Sequence, residues 1–135
     1  MVPRSWLTVD GAVDRVEAIS AVTLVTSRMA ASVSFYEALG LRVLYGGGDA
    51  AFTSFRVGGG YLNVQHDDRW TSPPVLWGRV IFHVDDVDSM HQRAVAAGLT
   101  PATEPADAPW GERFFHIRDP DGHELSFARP LRVQR

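Results

Sequence analysis

The chain contains no cysteine and no lysine, and both absences exclude chemistry. Without cysteine there are no disulfides, no thiolate nucleophile and no thiolate metal site, so any metal would rest on imidazole, carboxylate or amide groups. All 13 basic side chains are arginine, they form no run, and the net charge is −3. A basic stripe for nucleic acid is therefore missing. Long apolar runs are missing too: none approaches the roughly 20 residues of a membrane-spanning helix. The first segment, MVPRSWLTVDGAVDRVEAIS, has no continuous apolar core of the signal-peptide kind. These features predict a cytoplasmic protein with neither nucleic-acid nor membrane partners. Serine elbows, phosphate loops and redox pairs are also absent from the motif inventory.

What is present is the balance of one globular domain: 135 residues, 45% apolar and 21% charged. Two segments follow one plan, 58 residues apart when measured between Gly40 and Gly98. AISAVTLVT at 18–26 is a β-branched run suited to a strand. Ser27 is positioned to cap a helix with Met29, Val33 and Tyr36 on one face, and Gly40 supplies its end. In the second copy RVIFHV at 79–84 is the strand. Asp86 is the cap of a helix carrying Val87, Met90, Ala94 and Ala97, and Gly98 ends it. Each helix leads to a short strand and a hairpin: LRVLY, AFTSFRV, Gly58 to Gly60 and YLNVQ, then LTPAT, RFFHIR, a turn at Asp119-Pro120-Asp121-Gly122, and HELSFA. In that turn Pro fixes φ and Gly accepts φ > 0.

The predicted unit is thus βαβββ, used twice. The expected architecture is α+β, a pair of curved mixed-sheet half-barrels with a central cleft. Residues 18–131 make one domain, with module one at 18–67, a linker at 68–77 and module two at 78–131. Residues 104–111 read as a long loop. Residues 1–17 read as an appendage with a short helix over DGAVDRVEA.

With these motifs in place the chain resembles the vicinal oxygen chelate superfamily, which groups glyoxalase I, extradiol dioxygenases, fosfomycin-resistance thiol transferases and bleomycin-binding proteins. The resemblance is carried by SVSFYEALGLRVL at 32–44, DVDSMHQRAVAAGL at 86–99 and PWGERFFHIRDPDGHELSFARP at 109–130. It implies the fold across 18–131. Because the fold hosts several reactions and also non-enzymes, it does not by itself imply an activity. It implies a dimer as well, since this architecture commonly pairs its sheets across subunits.

In metal-dependent members, as the resemblance implies, four positions on the first and last strand of each copy hold the ion. Here they fall on Ala21, Asn63, Arg79 and Ser126. A methyl group, an amide, a guanidinium and a hydroxyl are not a donor set for a hard divalent cation. The expectation is no metal and no cofactor.

The strand period of two then places Thr23, Val25, Tyr61, Gln65, Ile81, His83 and Glu124 on the same faces. His116 matches a cavity-facing polar aromatic position of the fosfomycin-resistance relatives, and Phe114 shares its face. Trp110, in the loop before the seventh strand, lies in a Pro109-Trp110-Gly111 stretch like one in bleomycin-binding proteins. The candidate ligand-binding set is Arg79, His83, His116, Glu124, Ser126, Asn63, Gln65, Phe114 and Trp110.

Several readings stand side by side. Arg79 and Glu124 either form an internal ion pair in the vacated metal site or leave Arg79 to fork onto a ligand carboxylate. His83 and His116 are either satisfied structural histidines or acid/base groups. His83, His116 and Glu124 together are the set a relocated metal would need. Trp110 either packs its loop or stacks on ligand, and Trp70 and Trp77 border the expected cleft mouth. Tyr45, Phe52 and Phe55 belong to core or subunit interface. His66, His91 and His123 are placed on loop, helix and outward strand faces with no role.

Three functional classes follow. The first is a metal-independent protein that binds a small, partly aromatic or antibiotic-like molecule, with drug resistance by sequestration as one instance. The second is a glyoxalase- or dioxygenase-like metalloenzyme with a relocated site. The third is a metal-free enzyme using His83 or His116 as general base, Glu124 being the remaining catalytic candidate and Arg79 the oxyanion partner.

Overall fold

The computed structural model describes residues 15–131, and within them the sequence pattern becomes two four-stranded sheets and two helices. Module one runs β1 (Ala21–Thr26), α1 (Met29–Ala38), β2 (Arg42–Tyr45), β3 (Phe52–Val57) and β4 (Gly60–His66). Module two runs β5 (Arg79–His83), α2 (Val87–Ala96), β6 (Ala106–Ala108), β7 (Glu112–Arg118) and β8 (Glu124–Pro130). The sheet orders are β1-β4-β3-β2 and β5-β8-β7-β6, the same topology twice, with the first and last strand of each module paired in parallel. The chain is an α+β protein of two modules.

One face of each sheet is covered. Leu24, Leu62, Val64 and Phe55 of the first sheet and Phe115, Ile117, Leu125 and Phe127 of the second belong to a single cluster of buried side chains with Val33 and Tyr36 of α1 and Val87 and Ala94 of α2. The alternate residues of the same strands face the other way; they are more open on β5 and β7, while on the central strand β8 Glu124, Ser126 and Ala128 are buried too, so the period of two decides both the core and the candidate site.

Helix ends differ between the copies. Asp86 caps α2 as expected, accepting from Ser89 N at 3.0 Å. Ser27 does not cap α1. The cap position is Arg28, without a side-chain cap bond, because Ser27 N instead donates to Asp121 Oδ1 at 3.2 Å and ties the entry of α1 to module two. Gly40 and Gly98 close the two helices at φ +95° and +84°, where a side chain is strained.

The expected strand over LTPAT does not form. Pro101 lacks the N–H a ladder needs, and the segment meets β7 at one residue, where Ala102 N donates to His116 O at 2.8 Å and His116 N donates to the Thr103 side chain, Oγ1, at 2.9 Å rather than to a backbone carbonyl. The edge strand β6 comes later, inside the segment read as loop. Residues 15–20 carry no helix, and the rest of the expected N-terminal appendage lies outside the described residues.

The modules are joined by buried polar contacts around the Asp119–Gly122 turn. Tyr36 Oη, on a fully buried side chain, donates to Asp119 Oδ2 at 2.6 Å. Asp119 Oδ1 accepts from Asp121 N and His123 N, both at 2.9 Å. His123, expected on an outward face, is buried at 3% exposure because the linker folds over it. Trp70 stacks on its ring at 4.8 Å, Trp77 meets it edge-on, and Trp77 Nε1 donates to Nδ1 at 2.9 Å. Nδ1 is therefore the acceptor, and Nε2 carries the proton donated to Val25 O at 2.8 Å. Trp70 and Trp77 thus pack the module junction rather than edge the pocket described below.

Candidate functional site

The register of the second sheet builds the site in rows. Arg79 pairs with Glu124 and Glu124 with Arg118; Ile81 pairs with Ser126 and Ser126 with His116; His83 pairs with Ala128 and Ala128 with Phe114. All nine side chains project from one face. They include six of the nine expected ligand-binding residues, and Trp110 joins them from the loop before β7. A pocket of about 90 Å³ opens here, with Arg79, His116, Ser126, Phe114 and Trp110 among its walls and Ile81, Glu112 and Ala128 completing it.

Other expected residues fall elsewhere. Asn63 and Gln65 are on β4 of the first sheet, where Asn63 Nδ2 donates to Thr23 Oγ1 at 3.3 Å, and neither lines this pocket. His83 lies beside it, its Nε2 3.7 Å from Glu112 Oε2 with the side chain 63% exposed. Glu124 sits beneath the pocket rather than in its wall. Glu112 and Ala128 had no sequence signal as site residues, since one lies at a strand start and the other is a small residue in an apolar run.

Three local arrangements set the chemistry. Arg79 donates from Nε at 2.6 Å and from Nη2 to the same Glu124 oxygen, Oε2, and Arg118 Nη2 lies 3.6 Å from Oε1. One carboxylate thus serves two guanidinium groups and a positive charge is left over. His116 Nδ1 lies 2.6 Å from Ser126 Oγ. Burial, and then the Arg79 charge, hold this imidazole below its ordinary value against the opposite pull of Glu124, so it is neutral at pH 7. Finally, Trp110 stacks on Phe114 at 6.1 Å between centroids, Phe114 meets His116 at 4.9 Å, and Trp110 Nε1 donates to Glu112 Oε1 at 3.2 Å.

A divalent ion does not fit the four family positions. Ala21 has no donor, Ser126 is engaged with His116, and Arg79 is fixed by Glu124 with its charge where an ion would need ligands. Nor do His83, His116 and Glu124 converge: among the described residues no group of three His, Asp or Glu side chains is placed to hold a metal.

The pattern of the Glyoxalase/Bleomycin resistance protein/Dioxygenase superfamily matches residues 18–127. The chain belongs to this superfamily. Its fold is that of a glyoxalase/bleomycin resistance protein/dioxygenase from Nocardioides, at TM-score 0.72 and 22% identity over 90% of this chain and 88% of the other. A bleomycin-binding protein complexed with bleomycin aligns at TM-score 0.67 and 19% identity, covering 84% of this chain and 98% of that one. Lactoylglutathione lyase from Agrobacterium tumefaciens aligns at 0.67 and 22%, covering 82% and 92%. At such identities the likeness establishes fold, which is shared by binders and enzymes alike. An uncharacterised protein of Mycobacterium bovis is 45% identical over 49 residues, a stretch that spans 36% of this chain and 32% of that protein. No helix of the described residues is long and apolar enough to cross a membrane.

Proposed function

We propose that this superfamily member is a metal-independent binding protein for a small, partly aromatic molecule, held in the pocket between Arg79 and Trp110. The observation that carries the reading is the Arg79–Glu124 pair: the place of the family's ion is taken by a guanidinium already neutralised from below. The walls suit a ligand site, since flat rings from Trp110 and Phe114 face a few fixed polar groups. Sequestration of an antibiotic-like molecule is one instance of this function. The protein acts in the cytoplasm, without nucleic-acid or membrane partners.

A homodimer accompanies this reading. It is supported by Leu44 and Tyr45, 58% and 67% exposed on the edge strand β2. Sedimentation at micromolar concentration should give twice the chain mass, and a monomer would remove the dimer.

The test of binding is a small-molecule screen by tryptophan fluorescence in the presence of a chelator. Saturable ligand binding that is unchanged by chelator and followed by no turnover is expected. Binding or turnover seen only after a divalent ion is added would overturn the reading. A metal-free enzyme remains the second reading, on one observation: the His116 ring is bonded to Ser126 and lines the pocket. Turnover that disappears in His116→Ala would favour it.

A further inference from the structure

The binding reading says that a small molecule enters; hydrogen-bond bookkeeping at the pocket goes further and says which chemical class. Ser126 is 3% exposed, and among the described residues its hydroxyl has one partner, His116 Nδ1. If Nδ1 carried the ring proton, it would donate to Oγ and the buried hydroxyl hydrogen would have no acceptor. A buried donor left unmade costs about 1–3 kcal/mol. Ser126 therefore donates to Nδ1, and the proton of the neutral ring sits on Nε2, which has no protein partner among the described residues. Arg79 is in a similar state. Its Nε and Nη2 donate to one oxygen of Glu124, while Nη1 has no hydrogen-bond partner among the described residues.

The pocket wall thus holds two nitrogens without a hydrogen-bond partner among the described residues, Nη1 of Arg79 and Nε2 of His116. Glu124, which does not line the pocket, holds the first, and Ser126 holds the second from its wall. The charge balance matches. Arg79 and Arg118 share Glu124, so this end of the pocket carries one excess positive charge. An acceptor with negative charge satisfies both donors, whereas a cationic group would meet donors and an excess of positive charge. Beyond them the walls turn flat and apolar, with Phe114 stacked on Trp110 and Ile81 opposite on β5. Glu112 ends the pocket beside Trp110, and its own charge rejects a second carboxylate there. At about 90 Å³ the pocket falls well below the roughly 300–1,000 Å³ of drug-sized sites, which leaves room for one ring rather than an extended antibiotic.

We infer that the pocket is a receptor for a monocyclic aromatic monocarboxylate, its carboxylate held by Arg79 Nη1 and His116 Nε2–H and its ring against Trp110 and Phe114. This deepens the binding reading and rests on it, because a pocket that admits no small molecule has no ligand class.

The test is calorimetric titration of the full chain, in chelator, with benzoate, its neutral isostere benzamide, and the diacid terephthalate. Benzoate is expected to bind at least tenfold more tightly than either of the others. Replacing Arg79 alone would leave buried Glu124 with one partner and risks the fold, so the variant is Arg79→Gln with Glu124→Gln. It keeps a neutral bonded pair and should bring the benzoate-to-benzamide ratio to about one. Nitrogen shifts of His116 should show Nε2 protonated in the free protein. Benzamide binding as tightly as benzoate, or a preference that survives in the double variant, overturns the carboxylate assignment while leaving small-molecule binding intact. Absence of binding for all three probes also overturns the assignment; the chelator-treated fluorescence screen then decides separately whether the binding reading falls with it.

Discussion

Removing a single hydroxyl, in Tyr36→Phe, tests how the two modules are held together. Phe keeps the ring and its packing, 5.1 Å from Phe35 and 5.6 Å from Phe55, so the substitution isolates the 2.6 Å bond to Asp119. A hydrogen bond to an ionised group contributes about 1.5–3 kcal/mol, against about 1 kcal/mol for a neutral pair. At pH 7 the variant should therefore lose about 1.5–3 kcal/mol, a melting shift of roughly 6–12 °C for a chain of this size. Burial raises the Asp119 carboxyl above its ordinary range, and the Tyr36 bond partly opposes that rise. A raised carboxyl contributes stability below its unfolded value and loses it as pH rises through the folded value. The Tyr36 bond works in the opposite sense and contributes most once Asp119 is ionised. The loss in Tyr36→Phe should then be greater at pH 7 than at pH 4, measured by urea unfolding at both. On an Asp119→Asn background it should shrink and become independent of pH. A cost below about 0.5 kcal/mol, or one that is equal at both pH values, would refute this account of the junction.

Other substitutions probe separate links. Asp86→Ala removes the one side-chain cap of α2 and should cost about 1 kcal/mol in urea unfolding, while Ser27→Ala, at a position that caps nothing, should cost far less. Phe115→Ala empties a fully buried site between His91 and Phe127 and should cost about 3–5 kcal/mol, read as a fall in the urea midpoint at unchanged slope. Trp77→Phe keeps an aromatic edge on His123 but removes the N–H to Nδ1, and should cost about 1 kcal/mol without altering ligand affinity. An affinity loss there would place Trp77 at the pocket after all.

Much of this molecule is legible in its sequence because strand and helix periods are local properties. The alternation in RVIFHV, RFFHIR and HELSFA assigns Arg79, Phe114, His116 and Ser126 to one face, and the register bears that out. Pairing Arg79 with Glu124 followed from adjacent parallel strands in the same way. What the sequence hides is long-range. Asn63 and Gln65 have the right parity, but they sit on the other sheet, and parity says nothing about which sheet faces which. His123 reads as an outward strand residue until two tryptophans from the linker cover it. Asp119 reads as a turn former, and only the approach of α1 makes it a buried acceptor for Tyr36. The late edge strand β6 escapes because an apolar period cannot register in three residues.

The claim at the centre of this account is that a guanidinium ion pair stands where relatives of this fold hold an ion. Elemental analysis of the purified protein, before and after dialysis against zinc, nickel, iron and manganese, tests it most directly. The account predicts far less than one divalent ion per chain in both samples. One tightly held ion per chain would contradict it and return attention to His83, His116 and Glu124.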